Sequence, residues 1–167
     1  EFVNNIHFSR ELEEAVLGAC LLEKTAFGRI YKILNEEIIY QEQAKLVYRS
    51  IESLYSRSLP IDFFTVLDDI LIRQKVNKIN DRNIPALLTS FSSCVVSAAN
   101  IEYHSFILKR MWMEREVIRL TTGGVKLDGD LGERIVQLQT AIRNINAGEY
   151  VQDWKDSSEL MIGLIRH

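Results

Sequence analysis

The side chains that could do chemistry in this 167-residue chain are few and scattered. Its three histidines, His7, His104 and His167, lie far apart, and two of them sit near the chain ends. No pair has the i, i+4 spacing that sets two imidazoles on one helix face for a metal. His104 reads as a partly exposed helix residue rather than a general base. Cys20 and Cys94 lack CxxC spacing and histidine neighbours, and read as small buried hydrophobes in a reducing compartment. The acidic pairs Glu13-Glu14 and Glu36-Glu37 are sequence neighbours, which point in different directions on a helix and cannot share a proton or a metal. Asp68-Asp69 reads as a solvated face. Gly123-Gly124-Val125-Lys126 lacks both the spacing of a phosphate-binding loop and the buried strand that precedes one. With no G-x-S-x-G or H-E-x-x-H either, no catalytic, cofactor or metal site is expected in these residues.

Charge narrows the partners further. The net charge is −3 and the pI about 5.7, whereas a domain living on a phosphate backbone usually has a basic stripe and a pI above roughly 9. Direct nucleic-acid binding is therefore not expected. Apolar residues make up 47% of the chain and charged residues 26%, an ordinary balance for a globular domain. No apolar run approaches the roughly 18 residues of a membrane span, and no signal-peptide pattern opens the chain, so a cytoplasmic location without membrane contact is expected. The sequence opens at Glu1-Phe2 and stops at Arg166-His167 inside a helical pattern, which reads as a piece cut from a longer protein.

Helical periodicity recurs almost throughout, interrupted by only two prolines and eight glycines. The class is all-α. Ser9 is an N-cap signal for a helix with Leu12, Ala15, Val16 and Ala19 on one face. Thr25 can cap a second helix carrying Ile30, Ile33 and Leu34. Ala44, Val47, Tyr48, Ile51, Leu54 and Tyr55 follow the i, i+3, i+4, i+7 pattern of a third. Pro60-Ile61-Asp62 is a stiff entry ending in an Asp cap, before a helix expected to bury Phe63, Val66, Leu67, Ile70 and Leu71. A short helix with Leu87, Leu88 and Phe91 closes this globular part, residues 1–96.

Residues 97–147 differ in pattern. Ser97 is expected to cap a long helix reaching about Thr122, with a seam at Met113, Val117 and Leu120. A return helix carries Leu131, Ile135, Leu138, Ile142 and Ile145, whose steps of 4, 3, 4 and 3 are a coiled-coil seam, so the two form an antiparallel hairpin. Ile107, Met111 and Ile118, with nearby Trp112, make a second apolar stripe that a two-helix hairpin cannot cover. The Ile107 end can pack on the globular part, while Ile118, near the tip, calls for another polypeptide. Residues 148–167 read as a polar link and the start of a short helix. Its Asp156-Ser157-Ser158-Glu159 resembles a capping box, followed by Leu160, Met161, Leu164 and Ile165 in helical spacing.

Three segments, in order and properly spaced, resemble the amino-terminal domain of DnaB-type replicative helicases. Glu11-Leu12-Glu13-Glu14-Ala15-Val16-Leu17-Gly18 is similar to the family's E-x-E-x-x-V-L-G run, with Gly18 expected to admit a neighbouring helix closely. Pro60-Ile61-Asp62-Phe63-Phe64-Thr65-Val66 matches P-[IV]-D-x-x-T-[VL]. Ser97-Ala98-Ala99-Asn100-Ile101-Glu102-Tyr103 matches the segment that opens the family's long hairpin helix, with Asn100 placed to reach back as the third residue of a capping box. The agreement runs from residue 9 to about 147. The chain departs from the pattern at Ala44, where the family usually has His, and at Ile39-Tyr40 for Phe-Tyr. It also lacks the usual glycine pair around Asp81-Arg82-Asn83 and carries an unusual one at Gly123-Gly124, which marks a divergent member.

The resemblance implies a non-catalytic collar domain. It would self-associate as a dimer, or as a trimer of dimers in a hexamer, and bind primase and, in some systems, a helicase loader. ATP and Mg would belong to a motor domain outside this chain, which makes the parent an ATP-dependent DNA helicase. The candidate protein-binding residues are Leu87, Met111, Arg115, Ile118, Arg119 and Thr122. Leu160, Met161, Leu164 and Ile165 would dock the linker helix on an adjacent motor domain. Two other readings stand beside this one: the similarly folded helicase-binding domain of a primase, and a generic helical interaction or DNA-binding module.

Overall fold

The computed structural model describes residues 8–77, 83–95, 97–122 and 127–145. These residues form seven α-helices and no strand: α1 (Arg10–Leu22), α2 (Ala26–Ile30), α3 (Glu42–Ser56), α4 (Phe63–Asn77), α5 (Ile84–Ser93), α6 (Ile101–Thr121) and α7 (Leu131–Asn144). They divide into two units. One is Phe8–Lys109, and the other begins at Arg110, so the division falls inside α6.

In the first unit, α1 is the central helix and packs on α5, α3, α2 and α4. It starts where Ser9 accepts a hydrogen bond from the Leu12 amide at 3.2 Å. Val16, Leu17, Ala19, Cys20 and Leu21 are all buried, so the helix is enclosed nearly all round. Gly18 is what lets α5 come close. A Cβ there would stand 2.0 Å from the Phe91 carbonyl oxygen and 2.7 Å from Val95 Cγ2, separations that no real side chain adopts. The remaining core comes from Phe27 and Ile30 of α2, Val47, Tyr48 and Ile51 of α3, Val66 and Ile70 of α4, and Ile84, Leu88 and Phe91 of α5. Each such buried side chain contributes roughly 1.5–3 kcal/mol of apolar transfer. Tyr48 brings a polar tip into this core and satisfies it by donating to the Leu34 carbonyl at 2.9 Å, and burial pushes its phenol pKa up.

Polar side chains set where the helices begin. Asp62 accepts from the amides of Phe64 and Thr65, both at 3.0 Å, while Thr65 Oγ1 accepts from the Asp62 amide at 3.0 Å. The D-x-x-T segment is thus a reciprocal cap in which Thr serves where Glu or Gln is usual. For α3 the cap comes from another helix. Glu13 of α1, fully buried, accepts from the Tyr40 amide at 2.6 Å and from the Gln41 amide and side chain, each at 3.2 Å.

Several expectations are corrected. Thr25 makes no cap bond to α2. Its hydroxyl donates instead to Glu23, and the helix stops at Ile30, so Ile33 and Leu34 lie in the turn that follows. Leu71 is exposed; α4 turns its Val66–Ile70 face inward, and Leu71 falls beyond that stripe. Asp69 is not solvated. Its carboxylate takes hydrogen bonds from Ser50, Arg57 and Arg73 and ties α3 to α4. Cys94 is exposed rather than buried. Ser97 does not cap α6, because its hydroxyl accepts from the Ala99 amide in a local turn, and regular helix begins only at Ile101.

The second unit holds the rest of α6 and α7. Asp130 and Glu133 form a full capping box at the start of α7, preceded by Gly129 at φ +97°, a left-handed conformation that suits glycine. Among the described residues of this unit only Ile145, at the end of α7, is a buried hydrophobe. The Gly123-Gly124 pair and the 148–167 segment lie outside the described residues.

Candidate functional site

The feature that sets this chain apart from an ordinary bundle is apolar surface on α6 and α7. Val117 is 50% exposed, Ile118 44%, Leu131 74%, Ile135 48%, Val136 60% and Ile142 56%. An α-helix of this length buries one stripe when it belongs to a sealed core, and α7 contains no buried residue at all. The coiled-coil steps read from the sequence are present, but the expected seam is open. Val117, Leu120 and Thr121 of α6, Leu138 and Ile142 of α7 and Ile145 just past its end line a cavity of about 370 Å³. Leu131, which the spacing put on the seam, is the most exposed of the set.

Five of the six candidate contact residues fall on α6 or just past its end. Met111, Arg115, Ile118 and Thr122 follow i, i+4, i+7 and i+11 spacing, so they share a face, with Arg119 beside them. Met111 and Arg115 are half-buried, and Ile118, Arg119 and Thr122 are exposed. Arg119 gives both its Nε and Nη2 to Glu116, at 3.0 and 2.7 Å, and that carboxylate raises its pKa. Its charge is thus partly matched within the helix. Thr122 donates its hydroxyl to the Ile118 carbonyl at 2.7 Å, which closes the last turn. Leu87, half-buried on α5, belongs to the other unit. Leu160, Met161, Leu164 and Ile165 lie outside the described residues. The sequence reading missed Val136, an exposed apolar residue beside Ile135, because it sits off the seam register.

Among the described residues of the first unit, one cleft brings a cysteine and a histidine together. Ala15, Val16, Ala19, Cys94, Ser97, Asn100 and His104 border a cleft of about 290 Å³. Partial desolvation, then the carboxylate of Glu14 at 3.5 Å from Cys94 Sγ, pushes the Cys94 thiol up, the opposite of an activated nucleophile. Burial also lowers the His104 imidazole. Among the described residues no group of acidic, histidine or cysteine side chains could hold a metal, and no helix is long and apolar enough to cross a membrane.

The described residues thus form an all-helical bundle that continues into helices whose apolar side chains are exposed. Comparison with known proteins gives the class: residues 6–110 match the family described as DnaB-like helicase N terminal domain, and the chain belongs to that family. It is 32% identical over 115 residues, 68% of its length, to the replicative DNA helicase DnaB of Rhodothermus marinus, and spans 12% of that protein. It is 26% identical over 151 residues to the DnaB helicase of Leifsonia xyli, with 88% of this chain and 32% of the relative aligned. The crystal structure of the N-terminal domain of DnaB helicase from Mycobacterium tuberculosis superposes with a TM-score of 0.69 at 28% identity. That match covers 82% of this chain and 96% of the other. The family match thus bears out the helicase resemblance read from the sequence.

Proposed function

We propose that this domain is the collar module of a hexameric replicative helicase, self-associating through the α6–α7 arm and receiving primase, or in some systems a loader, on the exposed face of α6. The observation that supports it is the apolar surface of Val117, Ile118, Ile135, Val136 and Ile142. Exposed apolar patches rimmed by polar residues are a common mark of protein–protein contact sites. The arm is an antiparallel hairpin in this reading, residues 97–147, following the globular part at 1–96, and residues 148–167 lead toward the motor domain. Leu160, Met161, Leu164 and Ile165 dock there on a neighbouring subunit. ATP and Mg serve that motor domain, not this one, and the whole protein unwinds DNA in the cytoplasm. The collar itself binds neither single- nor double-stranded DNA appreciably.

The test pairs two measurements. Charge reversal of Arg115 combined with Ile118→Asp is expected to abolish capture of the cognate primase in a pull-down while the thermal transition stays in place. Unchanged capture by a folded variant rejects this face. Sedimentation of the wild-type chain from low to high concentration should reveal dimers or larger species, and a strictly monomeric chain rejects the assembly role.

A further inference from the structure

Arg29, on α2, reaches across about 70 positions of sequence to the segment that opens α6. Its Nη1 donates to the Ala98 carbonyl at 3.3 Å, its Nη2 to the Ala99 carbonyl at 3.2 Å, and its Nε to Glu102 Oε1 at 3.1 Å. Glu23, itself held by the Thr25 hydroxyl, stands 3.8 Å from Nη1 of the same guanidinium. All of these residues belong to the first unit.

The segment they grip is irregular. The Ile101 amide bonds to Ala98 and the His104 amide to Asn100, so two bonds that start the helix depend on where residues 98–100 are placed. Packing anchors the two ends of that stretch but not the exposed Ala99 and Asn100 between them. Ala98 and Ile101 are buried, and Ile101 and Asn100 border the cleft of about 290 Å³ against Ala15, Val16 and Ala19. A flat guanidinium presents its donors as a fixed fork that serves two adjacent carbonyls and a carboxylate at once; the ammonium of lysine has three donors on one atom, without that spread.

We propose that Arg29 is an electrostatic latch on the root of α6, holding residues 97–102 against α2, and that its release loosens this root while the rest of the bundle stays folded. The side chains of Arg29 and Glu102 are partly open to solvent, 32% and 50%, so the latch weakens with salt.

Hydrogen exchange followed by mass spectrometry on the full chain tests this, reading peptides that cover residues 97–106 against those that cover α3. Arg29→Met keeps the aliphatic stem and removes the donors. It is expected to speed exchange at the α6 root by about fivefold and leave α3 unchanged. Arg29→Lys should restore only part of the protection, and raising salt on the wild type should move the root in the same direction as Arg29→Met. Three results overturn the proposal: a root that exchanges at the wild-type rate in Arg29→Met, equal acceleration in the root and α3, or full restoration by lysine. Should Arg29→Met fail to fold, Glu102→Gln and the wild-type salt series decide instead, and an unmoved root in both rejects the latch.

Discussion

Gly18→Ala sets two physical effects of opposite sign against each other. In an isolated helix alanine is favoured over glycine by about 1 kcal/mol, so if α1 were a solvent-facing helix the variant would be more stable. Here the added methyl carbon would lie 2.0 Å from the Phe91 carbonyl oxygen, 2.6 Å from its carbon and 2.7 Å from Val95 Cγ2. Two of those three atoms are backbone and cannot swing aside. To restore normal contact α5 must retreat by about 1 Å, loosening the packing of Leu88 and Phe91. Overpacking of this kind costs about 1–3 kcal/mol and more where backbone must move. Taking about 3 kcal/mol against the propensity gain leaves a net loss of about 2 kcal/mol. For a unit of this size that lowers Tm by about 10 °C. Thermal and urea unfolding followed by circular dichroism read the change. Adding Val95→Ala should recover less than half of the loss, because the carbonyl clash remains. An unchanged or raised Tm would refute the close α1–α5 approach.

Glu13→Gln should cost about 2–4 kcal/mol in urea unfolding. The carboxylate accepts from two main-chain amides and a side-chain amide in a buried site, and a carboxamide turns an NH₂ toward donors. Burial acts to raise the Asp69 carboxyl, but hydrogen bonds from Arg73, Ser50 and Arg57 and the Arg73 charge outweigh it, so its pKa falls below 3.8. A depressed folded-state value gives stability that is fully present above the unfolded value and is lost as pH falls through the folded one. Asp69→Asn should therefore lower stability at neutral pH and flatten the loss below about pH 4, as read from Tm against pH. Burial, then Glu23, pushes the Cys20 thiol up to about 12, whereas Cys94 is exposed. Ellman's reagent should titrate one thiol in the native chain, slowly, and two after denaturation; two in the native state would contradict the buried placement of Cys20.

Local signals were readable from the residues alone. Ser9 and Asp62 announce helix starts because a cap needs only a short polar side chain and the amides two or three positions on. The 3.6-residue spacing of Val47, Ile51 and Leu54 located a core face for the same reason. Gly18 was legible as a close approach, although its partner was not. What escaped the reading depends on residues far away in sequence. Asp69 looks solvated beside Asp68 until α3 brings Ser50 and Arg57 to it. Glu13 looks like one more surface acid until the chain at Tyr40 and Gln41 folds over it. Ser97 satisfies the rule for an N-cap, yet its hydroxyl is taken by Ala99, and Arg29 holds the neighbouring carbonyls. The uncovered apolar surface was anticipated at Ile118 but not along α7, whose seam was expected to close against α6, and heptad spacing does not specify how tightly two helices meet.

The grip of Glu13 on α3 has a consequence for how the chain tolerates change. Two of its three bonds end on peptide nitrogens, which every residue except proline supplies alike. The demand for chemical identity therefore rests mainly on the acid at position 13, while positions 40 and 41 need only bring their main chain to the right place. The side chains there can be rewritten and the same helix start still inherited. Proline is the substitution this joint should refuse.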